Sequence, residues 1–117
     1  MSSIACEKAE AFAIRIVNLY KFLVGNNEYV LSKQILRSGT SIGANLAESQ
    51  LGMSKKDFLA KVYISLKECA ETKYWLNLLY KTEYISCPQY ESLNADCQEL
   101  LKILNSITKT TTESLKQ

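Results

Sequence analysis

Apolar positions recur along this chain with the period of an α-helix almost from end to end. From about Cys6 to Val24 the stripe is Ala9, Phe12, Ala13, Ile16, Leu19, Tyr20 and Leu23, with Glu7, Glu10, Arg15 and Lys21 outside it. From about Glu28 to Leu51 it is Leu31, Ile35, Gly39, Ile42 and Leu46, spaced four, four, three and four. From about Lys55 to Thr82 it is Leu59, Val62, Tyr63, Leu66, Cys69, Ala70, Tyr74, Asn77 and Tyr80. Ile64, Trp75, Leu78 and Leu79 fall on other sides of that third helix, so one apolar face does not suffice for it. From about Pro88 to Ile107 the stripe is Leu93, Cys97, Leu100, Leu104 and Ile107, with the alternating four and three of a bundle helix.

The breaks agree with the stripes. Gly25-Asn26-Asn27 offers a left-handed residue to stop the first helix and an Asn to cap the second. Gly52 stops the second helix. Ser54-Lys55-Lys56-Asp57 and Ser86-Cys87-Pro88-Gln89 are capping-box patterns, the latter with Pro in the first turn. Four helices, over 6–24, 28–51, 55–82 and 88–107, are therefore predicted, with Met1 to Ala5 loose and the Thr-rich residues 108–117 frayed. Connections this short make helix neighbours antiparallel. The predicted fold is all-α, a single up-down-up-down antiparallel four-helix bundle spanning 1–117. A chain that is 47% hydrophobic, with four Gly and one Pro, can build that core and has too few turn residues for a β fold.

The second helix has an unusual surface. Gln34, Arg37, Ser38, Ser41, Asn45 and Glu48 share one side, polar and mostly uncharged, where a solvated helix normally carries many Lys and Glu. Gly39, Gly43 and Ala47 follow at spacing four and point to the close approach of another helix. Glu68 and Glu71, three apart on the third helix, share a face and are expected to pair with Arg37 or with lysines. Together these residues form a predicted polar seam, open to being a subunit interface, a small-molecule pocket or a wet surface.

Composition removes much chemistry. The chain has no histidine, hence no Ser-His or Cys-His dyad and none of the Glu-x-x-His pairs that hold metals in bundles. Its four cysteines, Cys6, Cys69, Cys87 and Cys97, form no Cys-x-x-Cys pair, so buried reduced thiols are expected and no metal, cofactor or catalytic residue is assigned. No signal peptide and no membrane-length apolar run is visible, which implies a cytoplasmic protein. A net charge of +2 does not by itself announce a nucleic-acid binder. The distribution says more: between Ser54 and Lys81 there are six Lys against three acids. Lys55, Lys56, Lys61, Lys67 and Lys73 are the candidate phosphate contacts. Trp75 and its apolar neighbours are the candidate oligomer interface.

Three stretches carry a family resemblance: Phe12-Ala13-Ile14-Arg15-Ile16-Val17-Asn18-Leu19-Tyr20-Lys21, then Gln34 to Glu48 with its Arg-Ser-x-Thr-Ser-Ile-x-Ala-Asn block, then Ser65-Leu66-Lys67-Glu68-Cys69-Ala70-Glu71-Thr72-Lys73-Tyr74-Trp75-Leu76. The chain resembles, over about Glu7 to Lys109, the bacterial four helix bundle proteins, also called the 23S rRNA intervening-sequence proteins. Ser49 departs from the small Ala or Gly expected there. The resemblance implies a bundle assembling into a ring-like homo-oligomer, often a pentamer. Some members are encoded within insertions in 23S rRNA genes, and the accessory protein of diversity-generating retroelements, which looks like a relative, uses a basic pentamer surface to bind nucleic acid and a reverse transcriptase. The expectation is a non-enzymatic homo-oligomeric module binding RNA, DNA or a nucleic-acid enzyme through a repeated basic surface; the alternative is a protein–protein scaffold without nucleic-acid affinity.

Overall fold

The computed structural model describes residues 3–116, which form four helices: α1 (Ser3–Gly25), α2 (Leu31–Ser49), α3 (Lys55–Lys81) and α4 (Cys87–Leu115). They run up-down-up-down in a rod of 50 × 21 × 20 Å, with no strand among the described residues. Residues Ser3 to Ala5, expected to be loose, are helical, because Ala5 extends the buried stripe of Ala9, Phe12 and Ile16 by one turn. Met1, Ser2 and Gln117 lie outside the described residues. No helix among those described is long and apolar enough to cross a membrane.

The chain turns are built from backbone and side-chain caps. Asn27 takes the left-handed conformation (φ 66°) that ends α1, and the amides of Asn27 and Glu28 return to the carbonyls of Val24 and Leu23 at 3.0 and 2.9 Å. The cap of α2 is not an Asn as expected. Glu28 supplies it: its buried carboxylate accepts from the amides of Val30 (3.3 Å), Leu31 (3.0 Å) and Ser32, so the helix begins at Leu31 rather than at 28. Ser54 accepts from the Asp57 amide at 3.1 Å, and Ser86 and Gln89 make the reciprocal capping box at 3.3 and 2.8 Å.

The core is one cluster drawn from all four helices. Phe12, Ile16, Leu23, Ile35, Ile42, Leu46, Leu76, Leu79, Leu100 and Leu104 are its largest fully buried members. The stripes of α1, α2 and α4 fall where the periodicity puts them. That of α3 does not. Its buried positions are Val62, Ser65, Cys69, Thr72, Leu76 and Leu79, whereas Tyr63, Ala70 and Tyr74, expected inside, are exposed. The reason is chemical. Two of the inward positions are polar and are satisfied across the α2 seam: Ser65 Oγ donates to the Ile42 carbonyl at 2.9 Å, and the hydroxyls of Thr72 and Ser38 pair at 2.8 Å. Small side chains at this crossing bring α2 and α3 close, and Gly39 does the same between α2 and α1.

A second difference lies at the C-terminus. The tail expected to fray past Ile107 is helical to Leu115. Its last turns lie beside the start of α3, where Thr108, Lys109 and Thr112 face Leu59, Tyr63 and Leu66 across a groove and Lys55 Nζ donates to Ser114 Oγ. This packing outweighs the weak helix preference of the Thr run. Of the cysteines, Cys69 and Cys97 are buried and Cys6 is half-buried. Cys87, expected inside, is exposed, because it stands in the first turn of α4 ahead of the buried stripe.

Candidate nucleic-acid interface

The helix order sorts the charged side chains. Long charged side chains close the α1/α4 seam: Lys8 to Glu99 at 3.2 Å and Arg15 to Asp96 at 2.7 Å, with Arg15 also reaching the Ser92 hydroxyl at 2.8 Å. On the α2/α3 seam Arg37 bridges Glu68 (3.1 Å) and Glu71, and Lys61 meets Glu48 at 2.7 Å. These pairs engage five of the twelve acids and four of the fourteen cations. The cations they leave over are concentrated on α3 and α4.

The seam predicted around Arg37 is largely assembled. Arg37 joins Glu68 and Glu71, Ser41 donates to the Arg37 carbonyl at 2.6 Å, and Asn45 donates to the Ser41 carbonyl at 2.9 Å. Trp75 Nε1 donates to Glu71 at 2.9 Å. That hydrogen bond and the Arg37 guanidinium hold the Glu71 carboxyl below the usual carboxylate range, and Glu71 in turn raises Arg37 further above its already high value. Gln34 is exposed, Ser38 is buried against Thr72 and Glu48 turns to Lys61 instead, so none of the three joins the Arg37 cluster. The half-buried Trp75, with its indole edge-on to Tyr74, is thus partly engaged within the bundle.

The five candidate lysines separate by face. Lys61 is paired with Glu48, Lys73 reaches Asn94 of α4 at 3.3 Å, and Lys55 meets Ser114. Lys56 and Lys67 point straight out. With Tyr63, Tyr74 and Lys81 they lie at spacings of seven, four, seven and seven, which at about 100° per residue keeps all five within roughly 40° of the helix circumference. All five are exposed, the two tyrosines at 55% and 59%. No acid shares the strip. Glu68 and Glu71 stand at its α2 edge, where Arg37 bridges both and offsets part of their charge.

α4 continues the surface. Lys102, Lys109 and Lys116 recur every seven residues on its outer side, all exposed and, like Lys56, Lys67 and Lys81, without an ion pair among the described residues. Glu91 and Glu113 are the acids beside them. Between the two helices runs an open groove of about 590 Å³ bordered by Tyr63, Lys109 and Lys116. Apolar spacing alone puts Tyr63 and Tyr74 in the core, and the α4 lysines are not among the sequence candidates. The signal was there in the seven-residue recurrence of Lys102, Lys109 and Lys116. Among the described residues no group of His, Cys, Asp and Glu side chains is arranged to hold a metal.

Similar proteins agree with this architecture. The crystal structure of a protein of unknown function from the S23 ribosomal protein family of Bacteroides thetaiotaomicron superposes with a TM-score of 0.89. It is 57% identical, and the match covers 90% of this chain and 98% of that one. No curated protein matches. Residues 1–106 match the family described as 23S rRNA-intervening sequence protein, and with nearly the whole bundle inside that match the chain belongs to this family.

Proposed function

We propose that this protein is a non-enzymatic nucleic-acid-binding module whose outer α3/α4 face meets the phosphate backbone. The observation that carries the reading is the acid-free strip of Lys56, Tyr63, Lys67, Tyr74 and Lys81, flanked by Lys102, Lys109 and Lys116. Six lysines without ion pairs on adjoining faces supply the counterion-releasing contacts on which phosphate binding rests, and aromatic rings between them suit nucleotides. A homo-oligomer would repeat the face in each subunit and multiply those contacts, and a pentameric ring is the arrangement we favour from the family resemblance. The site of action is the reduced cytosol, where the thiols of Cys69 and Cys97 stay unpaired. With no histidine in the sequence, the commonest general base is missing, in keeping with a non-enzymatic role.

The test is a titration of labelled structured RNA, and of a DNA duplex, at low and near-physiological salt. Binding is expected at micromolar or tighter concentrations at low salt, falling steeply as salt rises. Lys56→Glu with Lys67→Glu should weaken it and flatten the salt dependence by about one unit of slope per lost contact. Absence of binding at both salts would overturn the reading.

The scaffold reading draws on a different surface. Leu51 and Met53, in the α2/α3 connection, are 82% and 94% exposed and border one surface groove with Ile64. Protein docking there would tolerate salt and depend on Leu51 and Met53.

A further inference from the structure

We infer that the groove beside Tyr63 is a docking place for an unstacked base, so that single-stranded nucleic acid is the preferred ligand of the α3/α4 face. The inference rests on the nucleic-acid reading and narrows it.

The groove lies where the last turns of α4 pass the first turns of α3. Its floor is Leu59 and Leu66, one wall is the Tyr63 ring, and Thr108 offers a hydroxyl from the other helix. Lys109 and Lys116 stand on the α4 rim. On the α3 side Lys56 and Lys67 stand about 10 Å before and about 6 Å beyond Tyr63 along the helix axis, at ~1.5 Å per residue. A groove with an exposed aromatic wall and a Leu floor is therefore bordered by Lys109 and Lys116, with Lys56 and Lys67 farther out on α3, and none of the four makes an ion pair among the described residues. Among the described residues, Glu113 is the one acid bordering the groove.

This arrangement complements a nucleotide with its base turned inward and its phosphates outward. The base would lie against the phenol ring and the Leu floor, and the flanking phosphates would fall near Lys56 and Lys67 on one side and Lys109 and Lys116 on the other. A duplex keeps its bases stacked on one another and presents only phosphates and groove edges to a flat helical face, so it uses the lysines and leaves the slot unfilled. Single strands have free π-faces, and sequence-tolerant stacking on aromatic side chains within a basic groove is how they are held elsewhere. The volume of about 590 Å³ admits one base and its sugar.

The experiment compares three labelled ligands of equal length, about 12 nucleotides: a pyrimidine single strand, the same sequence as a duplex, and a strand of abasic sugar-phosphate units. Binding by the intact protein is followed by fluorescence anisotropy at low salt. The single strand is expected to bind at least several-fold tighter than the abasic strand and tighter than the duplex, and a duplex bound as tightly would overturn the preference. Tyr63→Ala should cost about tenfold on the single strand and leave the abasic strand unchanged, while Tyr63→Phe keeps the affinity. Lys67→Glu should weaken all three. Equal affinity for single and abasic strands, or a Tyr63→Ala variant that binds the single strand as well as the wild type, would overturn base docking, and retained sensitivity to Lys67→Glu would then leave the backbone-binding reading standing. Failure of all three ligands to bind would overturn both. Tyr63 is exposed, so its substitution leaves the core intact.

Discussion

Gly39 of α2 lies directly against Ile16 of α1: a Cβ at Gly39 would stand 2.8 Å from both Cγ atoms of that buried side chain. Ile16 is fully buried and cannot swing aside. Gly43, one turn along, is different, because a Cβ there would meet Ala9 at 3.6 Å, an ordinary contact. Gly39→Ala should therefore cost about 1–3 kcal/mol through overpacking. Gly43→Ala should be neutral or stabilise by up to ~1 kcal/mol, the difference in helix preference. Urea denaturation of the two variants measures this, and equal losses would show that both glycines serve close approach.

The α2/α3 seam holds a buried polar pair. Thr72 and Ser38 meet at 2.8 Å, and Ser38's other partner is the Ile35 carbonyl at 3.4 Å. Thr72→Val keeps the shape and removes the hydroxyl, leaving Ser38 poorly satisfied, at an expected cost of about 1–2 kcal/mol. Adding Ser38→Ala removes the stranded partner, so the double variant should be more stable than the sum of the single losses predicts. A double-mutant cycle in urea reads the coupling directly, and strict additivity would show that the pair contributes nothing as a pair.

That same pair marks where the sequence could be read and where it could not. The stripes of α1, α2 and α4 are made of Phe12, Ile16, Ile35, Ile42, Leu100 and Leu104, whose apolar side chains announce their own burial. On α3 the inward face passes through Ser65 and Thr72, which look like surface residues until Ile42 and Ser38 are placed opposite them. The apolar count then shifted to Tyr63 and Tyr74, and the two aromatics of the basic strip were assigned to the core. Arg37 with Glu68 and Glu71 was legible because unlike charges on neighbouring helices have few other partners. Separating Lys61 and Lys73 from Lys56 and Lys67 required knowing which helix lies on each side of α3.

Glu28 makes folding depend on acid. Burial opposes ionisation of its carboxyl, but the amides of Leu31, Ser32 and Val30 favour the charged form, and the net effect lowers its pKa below the ordinary value. A group depressed in the folded state stabilises above its unfolded pKa, near ~4.3, and loses that contribution as pH falls through the folded value. Glu28→Gln should thus cost about 1 kcal/mol at neutral pH, the scale of a helix cap. The gap to the wild type should hold above about pH 5 and narrow at lower pH. Thermal melts of both proteins across this range test it; a gap that widens on acidification would reverse the sign assigned to Glu28.

Arg37 should influence binding without touching the ligand. It lies outside the basic strip, yet its positive charge offsets part of the negative charge of Glu68 and Glu71 at the strip's edge. Arg37→Ala would leave two carboxylates near Lys67 and Tyr74, close enough to act within a screening length of about 10 Å at moderate salt. Affinity for a nucleic acid should fall several-fold at low salt, and the deficit should shrink as salt is raised, since the field and not a lost contact is responsible. Glu68→Gln with Glu71→Gln in the Arg37→Ala background should restore binding. Trp75 complicates the reading through its hydrogen bond to Glu71, but a glutamine side chain can still accept from the indole, so the rescue isolates charge from packing. A deficit that persists unchanged at high salt, or is not rescued, would place Arg37 among the direct contacts.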